Sequence, residues 1–289
     1  MGFYGKIKWI MSAKNVKNLL KNYRIRPLKR LGQNFLVSEK AFEKILKAAD
    51  LSSKDVVLEI GSGIGNLTLK LTKKVKKVIA IEKDKKMCEI LRQELKNQDI
   101  KNVQIINEDV LKIQYGSMVK WFDGYNYKLV ANLPYYITSP IIRKFLEIKK
   151  TPKLAVLMIQ KQVAQRICAK PGKMSVLAVS VQFYAKPEII SYISKKSFWP
   201  QPKVDSAIIK IIPKKIKVST EFKKRFFEIV KAGFSQPRKQ LANNLSKKLG
   251  FKKEKVEVWL LKNNVRPSQR AETLSIDNWK RLTKSFKIK

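Results

Sequence analysis

The chain has 289 residues, enough for one larger and one smaller domain, and its 44% apolar content can fill a packed core without any apolar run reaching the roughly 18–20 residues of a membrane span. It contains no histidine, which excludes Ser-His-Asp, Cys-His and His-ligated metal chemistry. Its 63 Lys plus Arg against 22 Asp plus Glu give a net charge of +41, which favours a polyanionic partner, nucleic acid before an anionic membrane, because neutralising phosphates releases condensed counterions.

Part of the lysine excess is compositional, since the abundance of Ile, Lys and Asn fits an AT-rich genome. Residues 1–30 read as a basic arm with helical tendency. The arm has neither a long apolar stretch nor a small-residue cleavage site, so it is not read as a secretory signal. From Ser38, a good N-cap, SEKAFEKILKAAD predicts a short amphipathic helix. VVLEI (56–60) is a short apolar strand that runs into glycines, with a helical pattern following through NLTLKLTKK. VIAIE (78–82) repeats the arrangement, and DKKMCEILRQELKNQ then places Met87, Ile90, Leu91 and Leu95 on one helical face. VQIIN (103–107) and KLVAN (128–132) are further strands. Ser139-Pro140 is expected to start the next helix, serine as N-cap and proline at the first helical position. LAVLMI (154–159), EIISYI (188–193) and SAIIKII (206–212) complete the strands; MSVLAVSVQFYA (174–185) suits either state, with helix preferred.

After Pro213 the pattern becomes helical, in TEFKKRFFEIVKAGF, RKQLANNLSKKLG, KEKVEVWLLKNN and IDNWKRLTKSF. A boundary near 213 therefore divides 31–213 from a small helical domain, 214–289. Strands alternating with helices imply a mainly parallel sheet covered on both faces, so the expected class is α/β, doubly wound. Cys88 and Cys168 lie far apart in apolar, helical-looking contexts, which reads as buried thiols in a reducing cytoplasm.

EIGSGIGNLT (59–68) sits where the first strand meets a helix. Gly61, Gly63 and Gly65 allow a sharp turn and close approach to a ligand, and the helix start offers unpaired amides. Asn66 stands where a dinucleotide fingerprint wants its third glycine, which counts against NAD, and Glu59 just before the glycines counts for a different ligand. Glu82, at the end of the second strand, can accept from ribose hydroxyls, and Asp109, after the third, can accept from an adenine amino group. The succession points to an adenosine ligand, with a dinucleotide still open. At the fourth strand end, Asn132-Leu133-Pro134-Tyr135 combines an amide that accepts from a planar amine, a stiff turn and an aromatic face for stacking.

Taken in order, LGQNFL (31–36), EIGSGIGNLT, Glu82, Asp109, NLPYY (132–136), FWPQPKVDSAII (198–209), RKQLANNL and RAETLSIDNW resemble the ribosomal RNA adenine dimethyltransferase family that modifies small-subunit rRNA. The likeness runs from about Leu31 to the C-terminus and leaves residues 1 to about 28 outside it. It implies a Rossmann-like class I methyltransferase domain with a helical rRNA-binding domain, and S-adenosylmethionine as cofactor with no metal. Asn34 and Leu36 then close over the cofactor, Gly61 and neighbours such as Gly63 approach its methionine end, Glu82 holds the ribose and Asp109 reads the adenine. Asn132 touches the cofactor and, with the Leu133 and Pro134 carbonyls, accepts from the target amine. Tyr135 stacks under the target adenine and Phe198 covers its other face. Tyr136 is left between pocket wall and core packing, core preferred.

The implied reaction dimethylates two adjacent adenosines near the 3′ end of 16S rRNA in an immature 30S particle, by a cytoplasmic monomer with no membrane partner. One alternative is the large-subunit enzyme of macrolide-resistance type, which favours isoleucine after Asn132 where this chain has Leu133. The other is a non-catalytic ribosome-assembly or transcription factor on the same scaffold. Such relatives tend to lose cofactor contacts, whereas Gly61, Gly63, Glu82, Asp109 and Asn132 are all present.

Overall fold

The computed structural model describes residues 12–122 and 124–286; the first part of the expected basic arm, residues 1–11, lies outside them. In chain order the elements are α1 (Ala13–Asn22), β1 (Phe35–Leu36), α2 (Glu39–Ala49), β2 (Val56–Ile60), α3 (Thr68–Leu71), β3 (Lys77–Glu82), α4 (Lys85–Asn97), β4 (Val103–Asn107), α5 (Tyr115–Trp121), β5 (Tyr127–Asn132), α6 (Thr138–Glu147), β6 (Leu154–Gln160), α7 (Lys161–Ile167), α8 (Val176–Tyr184), β7 (Ala185–Ile193), β8 (Phe198–Trp199), β9 (Ser206–Pro213), α9 (Thr220–Gly233), α10 (Leu241–Leu249), α11 (Lys253–Lys262) and α12 (Ile276–Ser285). None of the described helices is long and apolar enough to cross a membrane.

Seven strands form one sheet in the order β4-β3-β2-β5-β6-β9-β7. The pairs β2/β3, β3/β4, β2/β5 and β5/β6 are parallel, and β6/β9 is antiparallel. This is the doubly wound, Rossmann-like arrangement, with strand order reversing between β2 and β5, where ligands bind at the carboxyl ends. The central strands are continuous apolar runs because both faces are covered: every residue of β2 is buried, as are all of β3 except Lys77. At the edge, β7 alternates buried or half-buried with exposed positions, and it tolerates Pro187 because an edge strand need not donate from every amide.

The chain divides into two compact units. The first runs through Ala164 and resumes over Glu188–Ile212; the second comprises Gln165–Pro187 and the chain from Pro213. Thus α8, the segment that suited either state in the sequence, is a helix grouped with the later helices. Ser175 caps it by accepting from the Ala178 amide. Within the second unit, Phe183, Phe226, Leu241, Trp259 and Trp279 share one core. The indole of Trp279 packs where Gly233 has no side chain: a Cβ there would lie 2.5 Å from Trp279 Cη2.

Several local expectations need correction. The helical pattern after the glycines yields only one turn, α3, before the chain turns toward β3. α6 begins at Thr138, after a short 3₁₀ turn at Tyr135–Ile137, so Ser139 lies inside the first turn instead of capping it. Pro140 is still tolerated because amides of a first helical turn have no intrahelical acceptor. Cys88 is buried, but Cys168 is only half-buried, just past the end of α7. In the arm, α1 is amphipathic: Val16 and Leu20 are buried with Phe35, Ile64, Met87 and Ile90, while its lysines stay exposed.

Candidate active site

The ends of β2 and β5 are adjacent because those strands pair in parallel, Leu58 opposite Leu129. After β2 the chain turns through Gly61 at φ +71° and Gly63 at φ +56°, backbone values that residues with a Cβ rarely adopt. A side chain at Gly61 would place Cβ 3.3 Å from Pro134 Cδ, and one at Gly63 would place it 3.3 Å from Phe35 Cε1. The glycines therefore allow the loop to lie against the β5 turn on one side and the β1 segment on the other.

The loop is held by carboxylates. The Gly63 amide donates to Glu82 Oε2 at 2.8 Å, and the Asp84 amide donates to Glu82 Oε1 at 2.8 Å. Burial pushes the Glu82 carboxyl upward, and these amides oppose the shift. A carboxylate has about four lone-pair directions, so Glu82 keeps acceptor capacity beyond the two amides. Gln33 Nε2 donates to Asp84 Oδ2 at 2.8 Å, tying the LGQNFL segment to the same corner. Asp109 accepts from the Leu111 amide and from Lys83 Nζ, each at 3.0 Å. Burial raises its pKa, but those donors together with the Lys83 charge outweigh burial and hold it below the usual carboxylate range.

Glu59 is buried in β2 and accepts from Thr68 Oγ1 at 2.6 Å. Burial pushes its carboxyl up to about 8; the Thr68 hydrogen bond pulls against this and nearby Glu82 adds to it.

Across the cavity, Asn132 Nδ2 donates to the Asn34 carbonyl at 3.3 Å, and the Leu133 amide donates to Met158 O at 3.1 Å. The Tyr135 hydroxyl lies 2.8 Å from Ser206 Oγ, and burial raises its pKa. Strands β1 and β8 pair antiparallel, with Leu36 opposite Phe198. This ladder brings the segment before α2 to the one after β7, which are distant in sequence.

One cavity gathers Asn34, Leu36, Gly61, Asn132, Leu133, Pro134, Tyr135 and Phe198 in its wall. Gly63, Glu82 and Asp109 are not in that wall; Gly63 and Glu82 are joined by the loop hydrogen bond, and Asp109 lies beyond the next strand end. The wall also contains Gly32, Gln33, Phe42, Glu59, Ser62 and Asn66. Asn66 Nδ2 donates to the Leu36 carbonyl at 2.7 Å, so the residue that departs from the dinucleotide pattern fastens the β1 segment to the glycine loop. Its Oδ1 and the hydroxyl of Ser62 are buried without a protein partner. Tyr136, for which core packing was preferred, is instead exposed.

A polar ligand with hydroxyl or ammonium donors fits this wall, which offers buried acceptors without partners and glycines that a side chain would crowd, while the Glu82 carboxylate, with lone pairs to spare, is joined to it through the glycine loop. Among the described residues no group of three or more His, Cys, Asp or Glu could hold a metal ion.

The family described as Ribosomal RNA adenine dimethylase matches residues 26–287. Ribosomal RNA small subunit methyltransferase A of Caldanaerobacter subterraneus subsp. tengcongensis is 46% identical over 262 residues, covering 89% of this chain and 96% of the relative. The protein of the same name from Dehalococcoides mccartyi (strain ATCC BAA-2266 / KCTC 15142 / 195) is 42% identical over 269 residues, covering 92% of this chain and 90% of the relative. Among solved structures, a dimethyladenosine transferase from Plasmodium falciparum superposes with a TM-score of 0.72 at 29% identity, covering 86% of this chain and 95% of the other. The 23S rRNA methyltransferase ErmE gives a TM-score of 0.70 at 25% identity, covering 87% and 98%.

Proposed function

The chain belongs to the ribosomal RNA adenine dimethylase family, and from that premise we propose a specific reaction and a role for each site residue. The protein is a class I methyltransferase that uses S-adenosylmethionine to dimethylate adenines of small-subunit rRNA. In the proposed reaction the targets are two adjacent adenosines near the 3′ end, presented by an immature 30S particle to a monomeric enzyme in the cytoplasm. The observation that carries this reading is the meeting of two loops at one cavity: the glycine turn, and Asn132–Tyr135, with Gly61 against Pro134.

When bound, S-adenosylmethionine supplies an activated methyl group on a sulfonium centre. The protein's task is then to orient and bind more than to act as acid or base, which a chain without histidine can do. Asn34, Leu36 and Gly61 line the cofactor's side of the cavity. The spare lone pairs of Glu82 accept from the ribose, Asp109 reads the adenine, and Ser62 and Asn66 add the acceptors that have no protein partner.

For the target, the bond from Asn132 Nδ2 to the Asn34 carbonyl fixes which end of the amide is free. Its oxygen accepts a hydrogen of the adenine amine, which localises the nitrogen lone pair that the ring otherwise delocalises. The Pro134 carbonyl already accepts from the Ile137 amide at 3.2 Å, so the Leu133 carbonyl is the stronger second acceptor. Once the nitrogen is alkylated, its surplus proton leaves to solvent. Tyr135, tethered to Ser206, and Phe198, fixed in the β1/β8 ladder, replace the stacking the adenine loses on leaving its helix. The lysine-rich helices from Pro213 onward are assigned to gripping rRNA phosphates.

Large-subunit methylation is the weaker reading, because the large-subunit enzyme is 25% identical while the small-subunit relatives reach 42% and 46%, and Leu133 follows Asn132. Incubation with labelled S-adenosylmethionine and either immature small subunits or large-subunit RNA, followed by nucleoside digestion, separates the two. Dimethyladenosine is expected in the small-subunit RNA; its absence there refutes the proposal. Asn132→Ala is expected to keep particle affinity and lose turnover by about 10²-fold or more, and full activity in that variant would remove Asn132 from its assigned role.

A further inference from the structure

The two tyrosines after Pro134 go to different places. Tyr135 is half-buried on Ser206. Tyr136 keeps 55% of its surface exposed. The backbone between them is not loose: Leu133, Ile137 and Thr138 are buried, and the Ile137 amide closes the turn on the Pro134 carbonyl. Tyr136 therefore projects outward from a fixed turn, so little conformational freedom is lost when its ring is covered.

The ring stands beside the cavity wall. Gly32, in the cavity wall at φ +62°, runs beside it: a Cβ there would lie 3.7 Å from Tyr136 Cδ1 and Cε1 and 3.4 Å from Pro134 Cβ. Other exposed tyrosines in this unit are occupied. Lys76 Nζ lies 4.0 Å from the Tyr125 ring centroid, and Lys161 Nζ lies 5.2 Å from that of Tyr192. Among the described residues no hydrogen bond, stacked ring or stacked cation engages Tyr136. One exposed cation, Lys83, lies close enough to Tyr136 to interact with it electrostatically. Lys83 is itself paired with Asp109.

An open aromatic face on a rigid turn, beside the cavity that takes the target base, has the chemistry of a nucleotide subsite. We propose that Tyr136 is a second base-binding position, on which the nucleobase adjacent to the target adenosine stacks. The inference rests on the small-subunit rRNA reading above. A substrate with two neighbouring targets uses this subsite in both rounds, since whichever adenosine is in the cavity, its neighbour has lost a stacking partner. Stacking suits this task because every base has a π-face and the contact does not depend on which nucleotide is presented.

The test pairs a protein change with an RNA change. Immature small subunits, intact or reconstituted with an abasic nucleotide next to a target adenosine, are methylated by the wild type, Tyr136→Ala and Tyr136→Phe, and S-adenosylmethionine affinity is measured separately. With intact particles, Tyr136→Ala is expected to raise KM by about 5- to 150-fold, the range of one base–aromatic stack. Its kcat and cofactor affinity are expected to stay near wild type, and Tyr136→Phe to restore KM. The abasic particle is expected to raise the wild-type KM similarly and to add nothing in Tyr136→Ala, because both changes remove the same contact. An unchanged KM in Tyr136→Ala, additive effects, or an equal loss of cofactor affinity would overturn the proposal. Wild-type enzyme that leaves small-subunit adenosines unmethylated would instead overturn the reading beneath it.

Discussion

Glu59 lies inside β2 with 2% of its surface exposed, and burial moves its carboxyl from an ordinary 4.5 to about 8. Between those values the folded protein holds a proton that the unfolded chain has released. Its contribution to stability is therefore fully present below 4.5 and is lost as pH rises through about 8. Glu59→Gln keeps the shape and removes the titration. The wild type is expected to lose Tm between about pH 5 and 8.5 more steeply than this variant; parallel slopes in a thermal melt series would show that another group carries the dependence. The acid before the glycines is visible in the sequence, but its protonation is not, because burial depends on α3 and the neighbouring strands. Asn66 is similar: the sequence shows that it is not a glycine, and only the fold shows that it reaches the Leu36 carbonyl. Tyr136 was misread for the same reason, since a residue inside an apolar segment faces solvent when a 3₁₀ turn rotates it out.

At the scale of elements, α6 links the two halves of the site. It continues directly from the Asn132–Ile137 turn, and its Lys144 Nζ donates to the carbonyls of Val110, Leu111 and Ile113 at 2.8, 3.2 and 2.6 Å. Those carbonyls belong to the segment just after Asp109. Burial lowers the Lys144 pKa, while Asp109 and Glu108 act the other way. One side chain thus holds the loop after β4 onto the helix that follows the β5 turn. Lys144→Met keeps the length of the side chain and leaves three carbonyls without that donor, each worth about 1 kcal/mol. Its expected result is a roughly tenfold weaker affinity for S-adenosylmethionine, with kcat at saturating cofactor within about threefold of wild type. Unchanged affinity in equilibrium binding would detach Lys144 from the cofactor side. The existence of the sheet strands was legible because buried parallel strands are short apolar runs bounded by glycines and acids. The start of α6 was not, because Ser139-Pro140 is a good signal that the preceding 3₁₀ turn overrides by two residues.

For the whole molecule, a net charge of +41 makes long-range attraction to RNA the dominant sequence-independent term. Particle binding is expected to weaken linearly in log affinity against log salt, by about 10³–10⁵ between roughly 50 and 200 mM if about 6–10 phosphates are engaged. A flat salt dependence in a filter-binding titration would mean that the charge does not serve RNA binding. The chain by itself determined the doubly wound class, the helical character after Pro213 and the ordered motif set, because periodicity, glycine loops and strand-end acids are local signals. The antiparallel insertion of β9, the grouping of Gln165–Pro187 with the later helices and the β1/β8 ladder that seats Phe198 opposite Leu36 came only with the tertiary structure. Each joins segments distant in sequence, and such pairing is decided by which buried surfaces and backbone amides find partners in three dimensions, a competition that no local pattern records.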